Sequence, residues 1–191
     1  MNRLRKVFLT VPEAAYIAGV SPRMVQHEID ERIVEAHTRG GRRRIFGSDL
    51  LYLHAVRSLH SQLTPKLRLQ VRDAIASAAA RNEANARIDS FIVCLASLEE
   101  NLLAGLENLE RTKRDFIEVR ADVLAGEPVV RGTRLSARFV AELVREGASV
   151  EELREEYDLT AEQVQAAVLF DRVTPKRGRP RGRPTSPLPV R

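Results

Sequence analysis

The chain has 191 residues, 43% hydrophobic and 30% charged, a balance that supports packed cores and excludes global disorder. Its formal net charge is +5, and the single cysteine excludes an internal disulfide. No apolar run approaches bilayer-spanning length, and the basic stretch MNRLRKVFLTVPEAAYIAGV lacks the continuous apolar segment of an export signal, so a cytoplasmic protein with no membrane partner is expected.

Charge becomes informative when divided along the chain, because partners respond to local fields. Residues 1–60 hold 10 basic and 6 acidic side chains, residues 61–120 hold 9 of each, and residues 121–173 hold 6 and 11. The last 18 residues, 174–191, hold 6 basic and no acidic side chains. Two basic ends therefore flank an acidic stretch.

From Phe8 onward, Thr10 and Glu13 have capping-box spacing for a helix carrying Ala14, Ala15, Ile17 and Ala18, which stops at Gly19. Ser21 with Pro22 opens a second helix that buries Val25 and Ile29 and leaves Arg23, Gln26 and His27 outward. Long polar side chains on one outward face suit base edges in a major groove. Val34–Arg39 and Arg42–Phe46 form an expected hairpin turning at Gly40-Gly41, with Arg39, Arg42, Arg43 and Arg44 around its tip, suited to phosphate or minor-groove contact. Ser48 caps a further helix with Leu50, Leu51, Leu53 and Val56 near the core. The plainer reading is a helical hairpin and a basic loop with no nucleic-acid role; agreement of turn, polar face and arginines favours DNA. Single-stranded RNA is disfavoured because the aromatics read as core residues.

This segment, LTVPEAAYIAGVSPRMVQHEIDERIVEAHTRGGRRRIFGSDLLYL, is similar to the amino-terminal DNA-binding domain of MerR-like and excisionase proteins. The resemblance implies a winged helix-turn-helix over residues 1–60. His27, His37, His54 and His60 all fall here, and their spacing matches no zinc pattern, so they read as surface or groove histidines.

Residues 61–120 read as a connecting and dimerising segment. Thr64-Pro65 begins a helix with Leu67, Val71 and Ile75 at four-residue spacing, fading in the alanine-rich run to Ala80. Ile88–Leu95 is a predicted strand in which Cys94 reads as a small core residue, and Ser97 with Glu100 opens a helix striped by Leu98, Leu102, Leu106 and Leu109. That stripe suits packing on the preceding helix or on a second copy of the chain. Phe116–Val119 reads as a returning strand.

In residues 121–173, GEPVVRGTRL reads as a strand that enters through a glycine turn and reverses at Gly132, placing Glu127 and Arg134 to face each other or to be separately solvated. Ser136 caps a helix near 137–145 with Phe139, Val140, Leu143 and Val144 on one side, ending at Gly147. Ser149 with Glu152 opens a second, carrying Val150, Leu153 and Tyr157, and Thr160 with Gln163 opens a third, carrying Val164, Ala167 and Val168. Helices this short must bury their stripes against one another.

The run L-A-G-E-P-V-V-R-G-T-R-L, followed by S-V-E-E-L and Y-D-L-T-A-E-Q-V, resembles the domain of unknown function 433. That resemblance implies a small three-helix module of VapB-like antitoxins, commonly partnered by a PIN-like ribonuclease toxin. Arg131, Gly132, Thr133 and Arg134 are the candidate toxin-binding or assembly residues. Ala125 stands where the pattern usually has a first glycine, and Leu135-Ser136-Ala137 replaces isoleucine-proline-valine. An acidic module has poor affinity for phosphate backbones, so toxin contact or assembly is expected of it rather than operator contact.

The tail TPKRGRPRGRPTSPLPVR cannot build a core. Arg177, Arg179, Arg181 and Arg183 have three open readings: an AT-hook-like minor-groove contact, bidentate pairing with carboxylates in a PIN-like nuclease pocket, or a solvated spacer.

The expected fold class is mainly α with short β hairpins: a winged helix-turn-helix and a small three-helix carboxy-terminal domain joined by a helix-strand-helix segment. Carboxylates lie on polar faces of amphipathic helices without a converging titratable set, so no catalytic residue, metal ligand or cofactor is assigned and no enzyme activity is expected. The leading expectation is a type II antitoxin that neutralises a PIN-like ribonuclease toxin and binds double-stranded operator DNA as an autorepressor, acting as a homodimer or in a higher assembly. The alternative is a MerR-like regulator or excisionase-type protein without a toxin.

Overall fold

The computed structural model describes residues 2–89 and 91–175, with the side chains of Asn2 and Arg39 left aside. Among the described residues the chain is mainly helical, with short strands in three antiparallel sheets. Arg177, Arg179, Arg181 and Arg183 lie outside them.

Helix α1 (Asn2–Arg5) leads to strand β1 (Phe8–Thr10), helices α2 (Val11–Ala18) and α3 (Pro22–Asp30), strands β2 (Ala36–Arg39) and β3 (Arg42–Phe46), and helix α4 (Asp49–Val56). The Glu13 carboxylate accepts from the Thr10 N–H at 2.7 Å, and Gly19, at φ 68°, ends α2 in the left-handed conformation that a side chain disfavours. Ser21 accepts from the Met24 N–H at 3.1 Å and starts α3 three residues later. The expected hairpin forms in register Arg39 to Arg42, but β3 is a central strand, because β1 pairs along its other edge. Strand β1 spans only three residues, too few for an alternation to be legible beforehand.

Two expectations here are corrected. Ser48 has helical backbone angles (φ −60°, ψ −30°) and makes no side-chain cap bond, so α4 is held by burial on nearly every side, with Leu50, Leu51, Tyr52, Leu53 and Val56 all in the core. In α3 the fully buried partner of Val25 is Glu28, while Ile29 is only half-buried.

Helix α5 (Pro65–Ala80) opens on Thr64, whose hydroxyl accepts from the Leu67 N–H at 3.3 Å. The single strand expected over 88–95 is a hairpin, β4 (Asn85–Ile88) and β5 (Phe91–Cys94), and Cys94 is exposed rather than core. Helix α6 (Leu95–Arg111) starts directly after it, before Ser97, whose hydroxyl donates to the Cys94 carbonyl at 3.4 Å instead of capping. Leu102, Leu106 and Leu109 are buried within the chain, where α6 packs on α2 and α4. One continuous core therefore runs from Leu4 to Leu109.

A π-helical turn (Thr112–Phe116) leads to β6 (Ile117–Glu118), which pairs with β7 (Val129–Val130). The GEPVVRGTRL run thus makes its strand with β6 rather than with its own return; after the reversal only a bridge from Val129 to Ser136 closes it. Helices α7 (Ala137–Glu146), α8 (Val150–Tyr157) and α9 (Ala161–Val173) start where expected, with Ser136, Ser149 and Thr160 accepting from Phe139, Glu152 and Gln163 N–H groups. Their stripes form a second core of Ile117, Val130, Val140, Leu153, Leu159, Val164 and Ala167, but Phe139, expected on the inner side of α7, is 39% exposed, and Val168 of α9 lies outside this core. Helix α9 joins the two cores: Val164 and Ala167 serve the second, while Leu169 and buried Val173 pack into the first.

The stretch before β7 holds Leu124, Ala125 and Gly126 at φ 44°, 54° and 82°, three successive left-handed residues. A Cβ in that region costs about 1 kcal/mol. Ala125→Gly is therefore expected to raise stability by up to about 1 kcal/mol, offset in part by glycine's unfolded-state entropy, as measured by urea unfolding.

Asp49 is buried at the start of α4, and burial pushes its carboxyl up to about 6 against the opposing pull of Arg72, whose Nε lies 3.6 Å away. A carboxyl raised above its ordinary value of 3.8 contributes stability below that pH and loses it as pH rises through about 6. The Tm advantage of Asp49→Asn over the native chain should therefore grow between pH 4 and pH 7.5 in thermal melts.

Candidate nucleic-acid interface

Helix α3 divides its residues by period. Val25 and Glu28 point inward at 0% exposure, while Arg23 and His27 are exposed and Gln26 half-exposed. The polar row expected to face outward does so. Gln26 Nε2 donates to Asp30 Oδ1 at 2.9 Å, and Arg43 Nη1 donates to the same oxygen at 3.0 Å, so the exposed end of α3 is tied to the hairpin.

Strand alternation splits the three arginines of β3. Arg43 shares a face with buried Ile45, whereas Arg42 and Arg44 share the other with Phe46. Arg44 is half-buried there in a layer with His37 and Phe46, whose rings lie 5.0 Å apart, and with Phe8, 4.2 Å from Phe46. Phe8 is 39% exposed, so this aromatic layer is not the core expected of it. A groove of about 280 Å³ gathers Gln26, Arg42 and Arg43 with Thr10, Val11 and Pro12, and Val173 and Pro175 line it from the far end of the chain. Of the seven residues the sequence singles out here, Gln26, Arg42 and Arg43 meet at this groove, while Arg23 and His27 are exposed on α3 outside its lining. Arg44, on the same face of β3 as Arg42, is half-buried beside His37 and Phe46 and does not line the groove, and only the backbone of Arg39, opposite Arg42, is described.

Beneath α3 lies a group that sequence reasoning missed. The buried Glu28 carboxylate accepts from the Tyr52 hydroxyl on α4 and pairs with the guanidinium of Arg68 on α5, itself 3% exposed. His60 Nε2 lies 2.7 Å from the same carboxylate, and the His60 ring packs edge-on against His27 at 5.7 Å. The fold thus joins two histidines to a carboxylate, which their spacing did not suggest: His27, Glu28 and His60 each bring one ligand atom within 4.8 Å of the others. Arg68 Nη1, bonded to Glu28 and 2.9 Å from His60 Nε2, fills the space between them, placing fixed positive charge where a divalent cation would sit. His54 is also no surface histidine. It is buried with Nδ1 donating to the Ala18 carbonyl at 2.9 Å, and burial first, then Arg57, lowers its pKa against that bond.

In the acidic module, three of the four candidate residues build the turn. Arg131 Nη2 donates to the Arg114 carbonyl at 2.8 Å, Gly132 holds φ 81°, and the Thr133 hydroxyl donates to the Val130 carbonyl at 2.9 Å while accepting from the Leu135 N–H at 3.1 Å. Glu118, not Glu127, faces this turn, accepting from Gly132 N–H at 3.3 Å. Arg134 is exposed and has no hydrogen bond or ion pair among the described residues. Glu142, Glu146, Glu151, Glu155 and Glu156 are likewise exposed along α7 and α8.

A family model described as "Protein of unknown function (DUF433)" matches residues 117–170, the segment from β6 into α9. The uncharacterized protein y4eO of Sinorhizobium fredii (strain NBRC 101917 / NGR234) is 30% identical over 187 residues, spanning 91% of this chain and 84% of that protein. The crystal structure of Rv2018 from Mycobacterium tuberculosis aligns over 84% of this chain and 96% of its own at 15% identity and a TM-score of 0.33, too low to inform the architecture.

Removing one partner of a buried ion pair strands the other, at about 3–5 kcal/mol. Glu28→Ala is expected to destabilise by about that amount in denaturant unfolding, while Glu28→Leu combined with Arg68→Met should cost much less than the sum of the single changes, a coupling that a double-mutant cycle measures.

Proposed function

This chain belongs to the same family as y4eO and contains a DUF433 domain, and we propose that it is a DNA-binding antitoxin whose basic amino-terminal region represses its own operator. Helices α2 and α3 with the β2–β3 hairpin act as a winged helix-turn-helix of MerR or excisionase type, α3 entering the major groove. The observation that carries this reading is the groove at which Gln26 of α3 meets Arg42 and Arg43 of the hairpin, a base-reading side chain beside phosphate-binding ones on a helix fixed from behind, with Arg23 and His27 exposed on the same helix. The DUF433 domain, with net acidic charge and the unpaired Arg134, holds a PIN-like ribonuclease toxin. Pro175 at the groove supports minor-groove contact by the arginines that follow, on the same duplex as α3.

An RNA-cleavage assay of a PIN-like nuclease that copurifies with this chain, run with and without the chain, decides the antitoxin half. Cleavage should fall to background at a slight excess of the chain; undiminished cleavage, or purification of the chain without any nuclease partner, leaves a MerR-like regulator or excisionase-type protein.

The DNA half is tested by mobility shifts on operator and random duplexes across a salt series. Arg43→Ala should weaken both and flatten the salt slope by about one unit for each phosphate it no longer neutralises, whereas Gln26→Ala should change base preference. Asp30→Asn, which frees both side chains from a carboxylate, should strengthen binding to random DNA. Identical effects of Gln26→Ala and Arg43→Ala on both duplexes would remove α3 from the major groove.

A further inference from the structure

The two-stranded sheet β4–β5 carries two of the three most exposed large apolar side chains among the described residues, Phe91 at 72% and Ile92 at 65%, on adjacent positions of one strand. Its neighbours on β4, Ala86 and Ile88, are buried against α5, so only half of the hairpin is covered. In antiparallel pairing, bonded and non-bonded residue pairs alternate. The Leu95 N–H donates to the Ala84 carbonyl at 2.8 Å, which makes Ala86–Val93 and Ile88–Phe91 the bonded pairs and leaves Ile92 and Cys94 directing their N–H groups away from β4. Strand β5 therefore ends the sheet with an open edge and lacks the usual protections of proline, lysine or an inward charge.

We propose that this edge is the chain's self-association surface: β5 pairs antiparallel with β5 of a second copy about a two-fold axis, giving a four-stranded sheet ordered β4-β5-β5-β4. A two-fold makes β5 antiparallel to its own copy, so the same donors and acceptors serve both sides. The hairpin's only charges, Arg87 and Asp89, cancel, offering nothing to select a charged partner such as a nuclease surface, whereas self-pairing needs no net charge. Leucines 102, 106 and 109 of α6 are buried within the chain and unavailable for the purpose. This inference rests on the reading of the chain as a dimeric DNA-binding protein, for which paired half-sites require two copies.

Sedimentation equilibrium of the full chain, without DNA or nuclease, tests it. The native chain should be a dimer at micromolar concentration, and Ile92→Pro, which removes an N–H that β4 does not use, should raise the concentration of half-dissociation at least tenfold with an unchanged circular dichroism spectrum. Ile92→Lys gives the same readout with the backbone donor intact, so a folding defect in one variant is recognised by the other. Cys94 lies two residues from Ile92 on the same sheet face, and a short bismaleimide should join two chains through it. A monomeric native chain, a dimer that survives both substitutions, or loss of nuclease binding in Ile92→Lys with the free chain's mass unchanged would each overturn the assignment. Because mass is read without DNA, such a failure leaves the operator-binding test standing on its own.

Discussion

A carboxylate with no exposure sits in the last turn of α3, and the arrangement around it depends on keeping that charge satisfied. Removing Glu28 from water costs several kcal/mol unless it is paired and hydrogen-bonded, and its partners come from three later elements: Tyr52 on α4, His60 after it, and Arg68 on α5. An apolar residue would fill the space at least as favourably. What the ionic group adds is direction, because hydrogen bonds to two carboxylate oxygens fix the rotation of α3 about its axis in a way that apolar contact does not. With Glu28 turned inward, the helical period leaves Arg23, Gln26 and His27 turned outward.

The same dependence extends to the rest of the chain through burial. Helix α5, which supplies Arg68, is backed by β4, and α6 fills the space between α2 and α4 with its leucines, so the outward face of α3 rests on residues up to Leu109. Helix α9 then continues the connection. Its middle belongs to the core of the DUF433 domain and its end, Val173, to the first core, and the chain leaves α9 at the groove that holds Arg42 and Arg43. Lys113 pairs with Glu13 across the junction; burial raises the Glu13 pKa, and the pairing together with the Thr10 N–H outweighs it, leaving a net lowering.

Local signals were legible in the sequence and long-range ones were not. Ser21, Thr64, Ser136, Ser149 and Thr160 announce their helices because a cap and its first turn lie within three residues. The partner of Glu28 is 40 positions away, and a glutamate among Gln26, His27 and Asp30 reads as part of a solvated face. The hairpin over 85–94 was hidden because its first strand, NARI, carries two polar residues, while FIVC looks like a complete buried strand when it is an exposed edge. The β6–β7 pairing was hidden because each strand has two residues, and the reversal at Gly132 suggested a local return. Ala125 was visible as a departure from the family pattern, and its positive φ gives the physical reason that a glycine is usual there.

The acidic domain and the basic groove share one molecule without neutralising each other, and the reason is range. Screening at physiological salt reduces interactions between exposed charges beyond about 8 Å, which is less than the diameter of a single helix with its side chains, about 10 Å. The exposed glutamates of α7 and α8 therefore act on whatever approaches them, and weakly on the arginines of a groove built from the first core. Within the proposed function, a duplex is repelled from the DUF433 face and admitted at α3 and the hairpin, while a basic polypeptide meets the opposite preference. Asp30 is a place where the separation is incomplete: a carboxylate beside the basic groove, it holds Gln26 and Arg43 in a common geometry and, within the proposed function, would have to release or share them when a phosphate arrives. Within the proposed function, that exchange would set a threshold against loose phosphate contact and favour duplexes whose bases engage Gln26 as the phosphate engages Arg43.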